Sequence, residues 1–241
     1  MGNHVQQGGD MNLKSMPILV LLIALMLIIV ACGEDSLPYR NEGDDLSTIG
    51  YYQEAIEQYD EAIRIDPQDA NTYNGRGLAY SSLGQYERAI QDYNEAIRLN
   101  PKDANAYYNM GAAYGVLGKY ELEIQNYAEA IHLYPQYADA YYNRGAAYGD
   151  LGQYEQAIAD YDEAIRLNPE DADAYYKRGI AYADIDEYER SVADYGEAIR
   201  LNPEDADAYY NRGAAHNALG KSREAELDFA KAKELGREEA P

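Results

Sequence analysis

Tryptophan is absent from this sequence, and phenylalanine and cysteine each occur only once, although there are 27 tyrosines. A single cysteine excludes a disulfide within the chain. Basic residues are also scarce, since 20 lysines and arginines face 43 acidic residues and the net charge is −23. This deficit argues against nucleic acid as a partner, because phosphates are bound by lysine and arginine. It argues equally against electrostatic adsorption to anionic lipid.

Arrangements of catalytic residues are lacking too. His4, His132 and His216 are far apart in the sequence, and no second ligand keeps metal-site spacing with His216, which favours a packing role for it. The glycines form no phosphate-binding loop. The many carboxylates recur at regular intervals, which is typical of a solvated face. We therefore expect no enzymatic activity, no cofactor and no metal site.

What the sequence does contain is a repeat of fixed period. The prolines that mark this period are Pro67, Pro101, Pro135, Pro169 and Pro203. The glycines that keep it are Gly77, Gly111, Gly145, Gly179 and Gly213. Both sets recur every 34 residues. A fixed period of this length indicates an array of structural repeats rather than one globular domain.

One period, residues 138–171, predicts two helices joined by a turn. Tyr141, Gly145 and Tyr148 are spaced as on one face of a helix. Gly152 is suited to the left-handed residue that ends many helices. A second set of residues at helical spacing follows, and the proline of the repeat ends that helix, because proline disfavours helical backbone in the residue before it.

This pattern resembles the tetratricopeptide repeat, a helix–turn–helix unit of the same length. The matching residues of one unit are Tyr141, Gly145, Tyr148, Ala157, Tyr161, Ala164 and Pro169. The resemblance implies an all-α fold, a right-handed α-solenoid of about six units. These units are residues 36–69, 70–103, 104–137, 138–171, 172–205 and 206–239. One position departs from the family, because arginine replaces the usual aliphatic residue before the glycine at Arg76, Arg144, Arg178 and Arg212.

The start of the chain, residues 1–31, predicts a secretory signal peptide. An apolar run, residues 18–31, is short for a membrane-spanning helix of about 20 residues but fits a signal core. The run ends at Cys32 in a sequence that resembles the lipobox of bacterial lipoproteins. That resemblance implies cleavage before Cys32 and attachment of a diacylglyceryl group to its thiol, and two acyl chains suffice for stable anchoring. The alternative is an uncleaved signal anchor, and either Met1 or Met11 is the start.

The segment after the cysteine is expected to be a short tether, residues 32–35. The first unit has a weak first helix, because Asp44 and Asp45 interrupt its apolar face and Pro38 lies near its start. We therefore expect Ser36 to Ile49 to be frayed and to extend the tether.

Two further departures from the repeat concern single residues. Glu123 replaces a small alanine, and because an unpaired buried carboxylate is costly, we expect it to reach solvent or to pair with a basic neighbour. Asp186 replaces the turn glycine of the other units. The last unit has a lysine- and glutamate-rich second helix, and a polar outer face is what a terminal repeat requires.

The candidate binding surface is the second tyrosine of each Tyr-Tyr pair together with the polar residue three positions before it. This set, the tyrosine stripe, comprises Asn105, Tyr108, Asp139, Tyr142, Asp173, Tyr176, Asp207 and Tyr210. The residues four and seven positions after each tyrosine are mostly small and would leave room for a ligand. They are Ala112, Ala146, Ile180 and Ala214, and Gly115, Gly149, Ala183 and Asn217. In the resembled family this stripe lines a concave groove that binds extended peptides or partner helices. Two interpretations stay open: each tyrosine packs on a neighbouring helix with a solvated hydroxyl, or the stripe binds a partner.

The resemblances together imply a non-enzymatic protein-interaction scaffold. We expect it to be lipid-anchored in the bacterial cell membrane or outer membrane and exposed outside the cytoplasm. The acidic stripe favours a basic or neutral peptide or helix as the partner, with affinity that falls as salt rises. A binding protein for a non-protein ligand such as a glycan is the alternative, and an enzyme is the weakest hypothesis. The oligomeric state stays open, because near-identical units permit domain exchange.

Overall fold

The computed structural model describes residues 35–237, which fold into twelve α-helices and, within that range, no strand. The predicted signal peptide, residues 1–31, and the predicted lipidation site, Cys32, lie outside the described residues. The helices are α1 Leu37–Thr48, α2 Tyr52–Ile65, α3 Ala70–Ser82, α4 Tyr86–Leu99, α5 Ala104–Val116, α6 Tyr120–Leu133, α7 Ala138–Asp150, α8 Tyr154–Leu167, α9 Ala172–Asp184, α10 Tyr188–Leu201, α11 Ala206–Ala218 and α12 Ser222–Glu234. Between residues 35 and 237, none of these helices has the length and apolarity that a bilayer span requires.

The helices form six hairpins, units one to six, in which each helix packs on the one before it and the one after it. The first helices of neighbouring units also touch one another, from α1 to α11, whereas the second helices of neighbouring units do not. The first helices therefore lie side by side on one surface of the stack, which we call the inner face. This arrangement confirms the predicted α-solenoid of six units.

The ends of the helices follow the sequence signals. The first helices of units two, three, five and six are capped by aspartates whose carboxylates accept a hydrogen bond from a backbone N–H of the first turn. The capping residues are Asp69, Asp103, Asp171 and Asp205. In the turn of unit four, Gly152 has φ = 71°, and in unit five Asp186 takes the same left-handed conformation at φ = 61°. A residue with a Cβ is strained there, so Asp186 occupies the glycine position at a cost.

In units one to five the core is a tyrosine of the second helix packed against a glycine of the first, and in unit six Phe229 takes the place of the tyrosine. Tyr93 and Tyr161 are almost fully buried. A Cβ built on Gly77 would lie 2.6 Å from the Tyr93 ring, and one on Gly145 would lie 3.0 Å from the Tyr161 ring. The glycines are therefore required for the close approach of the two helices.

The four arginines that depart from the family pattern are paired with aspartates of the second helix. In each pair Nε and Nη2 donate to the two carboxylate oxygens, at 2.6 to 2.8 Å. The pairs are Arg76–Asp92, Arg144–Asp160, Arg178–Asp194 and Arg212–Asp228. In unit three the same two positions hold Met110 and Asn126. These bidentate pairs join the two helices of a unit where the resembled family uses apolar contacts.

The prediction that Ser36 to Ile49 is frayed is wrong, since α1 spans Leu37–Thr48 and packs on α2. Asp44 does not interrupt the packing, because its carboxylate accepts a hydrogen bond from the Tyr59 hydroxyl at 2.7 Å. Arg40 also pairs at 2.9 Å with Asp69, the residue that caps the first helix of unit two. The acidic residue that made the helix look unstable therefore supplies one of its tertiary contacts.

Candidate functional site

A row of clefts runs along the inner face at the boundaries between units two and six. Each cleft is bounded by the two helices of one unit and by the first helix of the next. We name the clefts 2–3, 3–4, 4–5 and 5–6 after the units that they join. Their volumes are about 130, 360, 270 and 410 Å³ respectively. Because the units are alike, equivalent residues line all four clefts.

Tyrosines and small residues line these clefts. The aromatic walls come from the second helices, as with Tyr120 and Tyr127 in the 3–4 cleft and Tyr154 and Tyr161 in the 4–5 cleft. The small residues come from the first helices. They include Ala112, Gly115, Ala146, Gly149, Ala183 and Ala214. The sequence had marked these small positions as room for a ligand beside the tyrosine stripe, and the structure places them in the clefts.

The tyrosines of the stripe are half-buried and pack on the core aromatic residue of their own unit. The ring centroids are 5.3 to 5.8 Å apart, with tilted planes, in all four units that carry the pair. The pairs are Tyr108–Tyr127, Tyr142–Tyr161, Tyr176–Tyr195 and Tyr210–Phe229. None of the four stripe tyrosines belongs to the residues that line the clefts. They lie one to two turns away, toward the start of each first helix.

The hydroxyls of two stripe tyrosines are hydrogen-bonded across the boundary between units. Asn143 Nδ2 donates to the Tyr108 hydroxyl oxygen, and Asn211 Nδ2 donates to that of Tyr176, each at 2.9 Å. The corresponding position opposite Tyr142 is Lys177, which lines the 4–5 cleft. Burial raises the pKa of Tyr142 to about 12, and the nearby Asp173 carboxylate contributes to the rise. These hydroxyls are therefore protonated donors and acceptors at neutral pH.

The polar members of the stripe stand exposed at the starts of the first helices. These residues are Asn105, Asp139, Asp173 and Asp207. Asn105 accepts a hydrogen bond from the Tyr137 hydroxyl at 3.2 Å. Asp207 pairs with Arg237, whose guanidinium also lies over the Tyr210 ring, 3.9 Å from its centroid. In the last unit the stripe thus already contacts Arg237, although the Asp207 side chain stays 61% exposed.

Glu123 does not pair with a basic residue, so that expected outcome is wrong, and its carboxylate faces the open 3–4 cleft. Its side chain is 8% exposed and points into the 3–4 cleft. It occupies the space that a side chain at residue 115 would fill, because a Cβ on Gly115 would lie 2.6 Å from Glu123 Oε1. Burial raises the pKa of Glu123 to about 7, with a further contribution from the Asp150 carboxylate.

Asp150 and Asp184 also line the clefts, and the sequence interpretation missed both. Asp150 lines the 3–4 and 4–5 clefts, and Asp184 lines the 4–5 and 5–6 clefts. Burial raises the pKa of Asp184. A signal was present, since each aspartate lies eight residues after a stripe tyrosine, Tyr142 or Tyr176, and so falls on the same helix face.

Four family models of this repeat match most of the chain. The model described as "TPR repeat" matches residues 43–84, 78–118, 116–152 and 182–220. Models described as "Tetratricopeptide repeat" match residues 138–171, 160–193 and 206–237. Among curated proteins none matches the chain significantly.

Solved structures of similar proteins share the solenoid. MamA from Desulfovibrio magneticus RS-1 is 26% identical with a TM-score of 0.66, over 69% of this chain and 94% of MamA. YrrB, described as a TPR protein with an unusual peptide-binding site, is 25% identical with a TM-score of 0.68, over 74% of this chain and 92% of YrrB. Pseudomonas aeruginosa pilF, at 18% identity and a TM-score of 0.72, covers 83% of this chain and 91% of its own, and shows the fold alone.

Proposed function

Because this chain belongs to the tetratricopeptide repeat family, we propose that it is a non-enzymatic scaffold whose inner face binds an extended peptide or a helix of another protein. The observation that carries this proposal is the row of clefts along the inner face, each with tyrosine walls and small residues at its floor. Clefts of this kind accept side chains of a ligand that lies along the stack. The peptide-binding site named for YrrB, which shares the fold, supports the proposal.

The charge of the inner face favours a basic or neutral partner. Asp139 and Asp173 are exposed at the helix starts, and Asp150 and Asp184 line the clefts. The net charge of the whole chain is −23. We therefore expect the affinity for the partner to fall as the salt concentration rises, since attraction between exposed charges is screened.

We further propose that the scaffold is held on the bacterial cell membrane or outer membrane by a lipid on Cys32, outside the cytoplasm. The lipobox-like sequence that ends at Cys32 supports this part of the proposal. The TPR array begins only a few residues later, so the first unit would lie close to the membrane surface.

Photocrosslinking in native membranes tests the binding surface. A photoreactive amino acid is placed in the full-length chain at Ala112 or Ala214, which line clefts of the inner face. Matched control positions are Ala159 and Ala193, which are exposed on the second helices α8 and α10 and line none of the clefts. Mass spectrometry then identifies the crosslinked protein and the segment that was captured.

We expect one and the same protein segment to be captured from both inner positions and from neither control position. Capture from all four positions at equal yield, or from the second helices alone, would contradict binding at the inner face. A captured species that contains sugar but no peptide would replace the proposal with the glycan-binding alternative.

A further inference from the structure

The 3–4 cleft contains a buried carboxylate without a partner. Glu123 is 8% exposed, and in the described part of the chain its carboxylate makes no hydrogen bond or ion pair. Its carboxylate lines the cleft together with Asp150 of the next unit, which raises its pKa by charge repulsion in addition to burial. A buried carboxylate that gains nothing from the fold is destabilising, so its presence calls for an interaction that the isolated chain does not make.

Residues of two helices are matched to this carboxylate. The positions equivalent to Glu123 in the other units are small, namely Ala55, Ala89, Ala157, Ser191 and Ala225. On the facing helix α5, Gly115 leaves the space that the carboxylate occupies. Unit four has a glycine at the same position, Gly149, but a Cβ there would meet nothing within 4 Å because Ala157 stands in place of the glutamate. The 3–4 cleft thus differs from the others by Glu123, which fills the space that Gly115 leaves.

The other residues of the cleft are suited to a cation. The Asp150 carboxylate adds a second negative charge, and the rings of Tyr120 and Tyr127 form its aromatic walls. Tyrosine faces attract ammonium and guanidinium groups, and a guanidinium can pair with carboxylates while it stacks on a ring. A neutral side chain in this cleft would leave Glu123 buried and unpaired.

We propose that the 3–4 cleft is a specificity pocket that binds one arginine or lysine side chain of the partner peptide, with Glu123 and Asp150 as its counterions. This inference rests on the proposed function, because it assumes that a peptide lies along the inner face. It selects a peptide side chain rather than a metal ion, since no group of three histidine, cysteine or acidic residues in the described range 35–237 is placed to hold a metal.

A positional-scanning peptide array tests the pocket with the full-length chain. Each pool of acetylated and amidated nonapeptides fixes one residue at one position, and arginine, lysine, citrulline and glutamate pools are compared. The test variant is Glu123→Gln, which keeps the shape of the side chain and removes its charge. The matched control is Glu121→Gln, which makes the same charge change at an exposed residue of the same helix.

The wild-type chain should bind arginine or lysine pools at one position at least about tenfold more tightly than the citrulline pool, because an uncharged isostere cannot pair with the carboxylates. Glu123→Gln should abolish that preference, and Glu121→Gln should keep it. Peptide binding with no preference for a cation, or a preference that survives in Glu123→Gln, overturns the pocket but leaves the proposed function standing. Failure to bind any pool overturns the pocket, whereas the proposed function is decided by the photocrosslinking experiment.

A calorimetric titration with calcium chloride alone separates a peptide pocket from a metal site. We expect no calcium binding that depends on Glu123. Saturable binding of calcium by the wild-type chain that is lost in Glu123→Gln would overturn the assignment to a peptide side chain.

Discussion

At the scale of single residues, the paired arginines and aspartates decide how the two helices of a unit are held together. The side chains of Arg144 and Asp160 are 18% and 7% exposed and are joined by two hydrogen bonds. Breaking such a pair from one side leaves a buried charge without compensation, whereas replacing both partners can be nearly neutral. Unit three already holds the neutral alternative, Met110 with Asn126.

Copying unit three into unit four tests this account. Arg144→Met alone should lower the free energy of unfolding by about 2–4 kcal/mol, because the Asp160 carboxylate stays buried without its partner. The double variant Arg144→Met with Asp160→Asn should recover most of that loss. Urea unfolding followed by circular dichroism measures both variants and Asp160→Asn alone. Additive effects of the two single changes would show that the pair is not coupled.

The buried Glu123 makes stability depend on pH in a way that its removal should reveal. Its pKa is about 7 in the folded chain, whereas a glutamate in an unfolded chain titrates near 4.3. Between these two values the folded chain binds more protons than the unfolded chain, so the stability contributed by this residue falls as pH rises from about 4.3 to about 7. Above pH 7 the charged carboxylate opposes folding by a constant amount.

Glu123→Gln should therefore be more stable than the wild-type chain at pH 8, by on the order of 1–2 kcal/mol after allowance for solvent in the cleft. The difference should vanish near pH 4, where glutamate is protonated in both states. Thermal unfolding of both chains between pH 4 and pH 8 measures this difference in stability. Glu121→Gln is the control, and its difference in stability from the wild-type chain should not change with pH. A Glu123→Gln chain that is less stable at pH 8 would contradict the burial of a charge.

The sequence predicted which residues were unusual but not what they touch. The four arginines and Glu123 stood out because the repeat supplies its own reference for every position. Their partners could not be assigned, because the register between the two helices of a unit is set by packing and not by periodicity. Glu123 was expected to find solvent or a basic group, and the space beside Gly115 became visible only with the facing helix in place.

At the scale of the helix, the repeat pattern predicted the elements well where glycine and proline mark them. The turn glycines and the prolines indicated the limits of the helices closely in units two to four. The first unit was interpreted wrongly, because Asp44 was counted as a break in an apolar face when it accepts a hydrogen bond from the Tyr59 hydroxyl. A prediction that counts only apolar residues underestimates the stability of a helix whose tertiary contacts are polar.

Substitution of two glycines of α7 by alanine distinguishes the effect of helix packing on stability from that of helix propensity. A Cβ on Gly145 would meet the Tyr161 ring at 3.0 Å and the Ala157 carbonyl oxygen at 3.2 Å, whereas a Cβ on Gly149 would meet nothing within 4 Å. Gly145→Ala should destabilise the chain by about 1–3 kcal/mol, because the two helices must move apart. Gly149→Ala should stabilise it by about 0.5–1 kcal/mol, because alanine is the better helix former.

Thermal unfolding of the two single variants checks this pair. Since both changes add the same methyl group to the same helix, any general effect of alanine cancels in the comparison. Stabilisation by Gly145→Ala would show that the helices of unit four do not approach as closely as the structure places them.

At the scale of the whole molecule, the repeat predicted the solenoid and the small residues of the inner face, but not the clefts themselves. Each cleft is made by three helices from two units, so its walls come from residues that are far apart in one repeat. The tyrosine stripe lies beside the clefts, with its rings against the core and two of its hydroxyls bonded to the next unit. Its part in binding stays a prediction, and the acidic residues of the clefts join it as candidates.

The lipid anchor is a property of the whole chain, and its chemistry allows a sharp test. Cys32 is the only cysteine, so a thioether-linked lipid has no other site. Metabolic labelling with an alkyne fatty acid should mark the wild-type protein and leave Cys32→Ala unmarked. Membrane fractionation alone does not decide the question, because an unprocessed apolar run, residues 18–31, can itself retain the variant in the membrane.

Intact mass spectrometry completes the test, because cleavage lowers the mass of the protein and lipidation raises it by a different amount. The wild-type protein should begin at Cys32 and carry the added acyl chains, whereas Cys32→Ala should keep the predicted signal peptide and carry none. A wild-type protein that keeps its signal peptide without acyl chains supports the uncleaved signal anchor instead. Because a net charge of −23 gives the chain no attraction to an anionic bilayer, electrostatic adsorption does not account for membrane retention of either form.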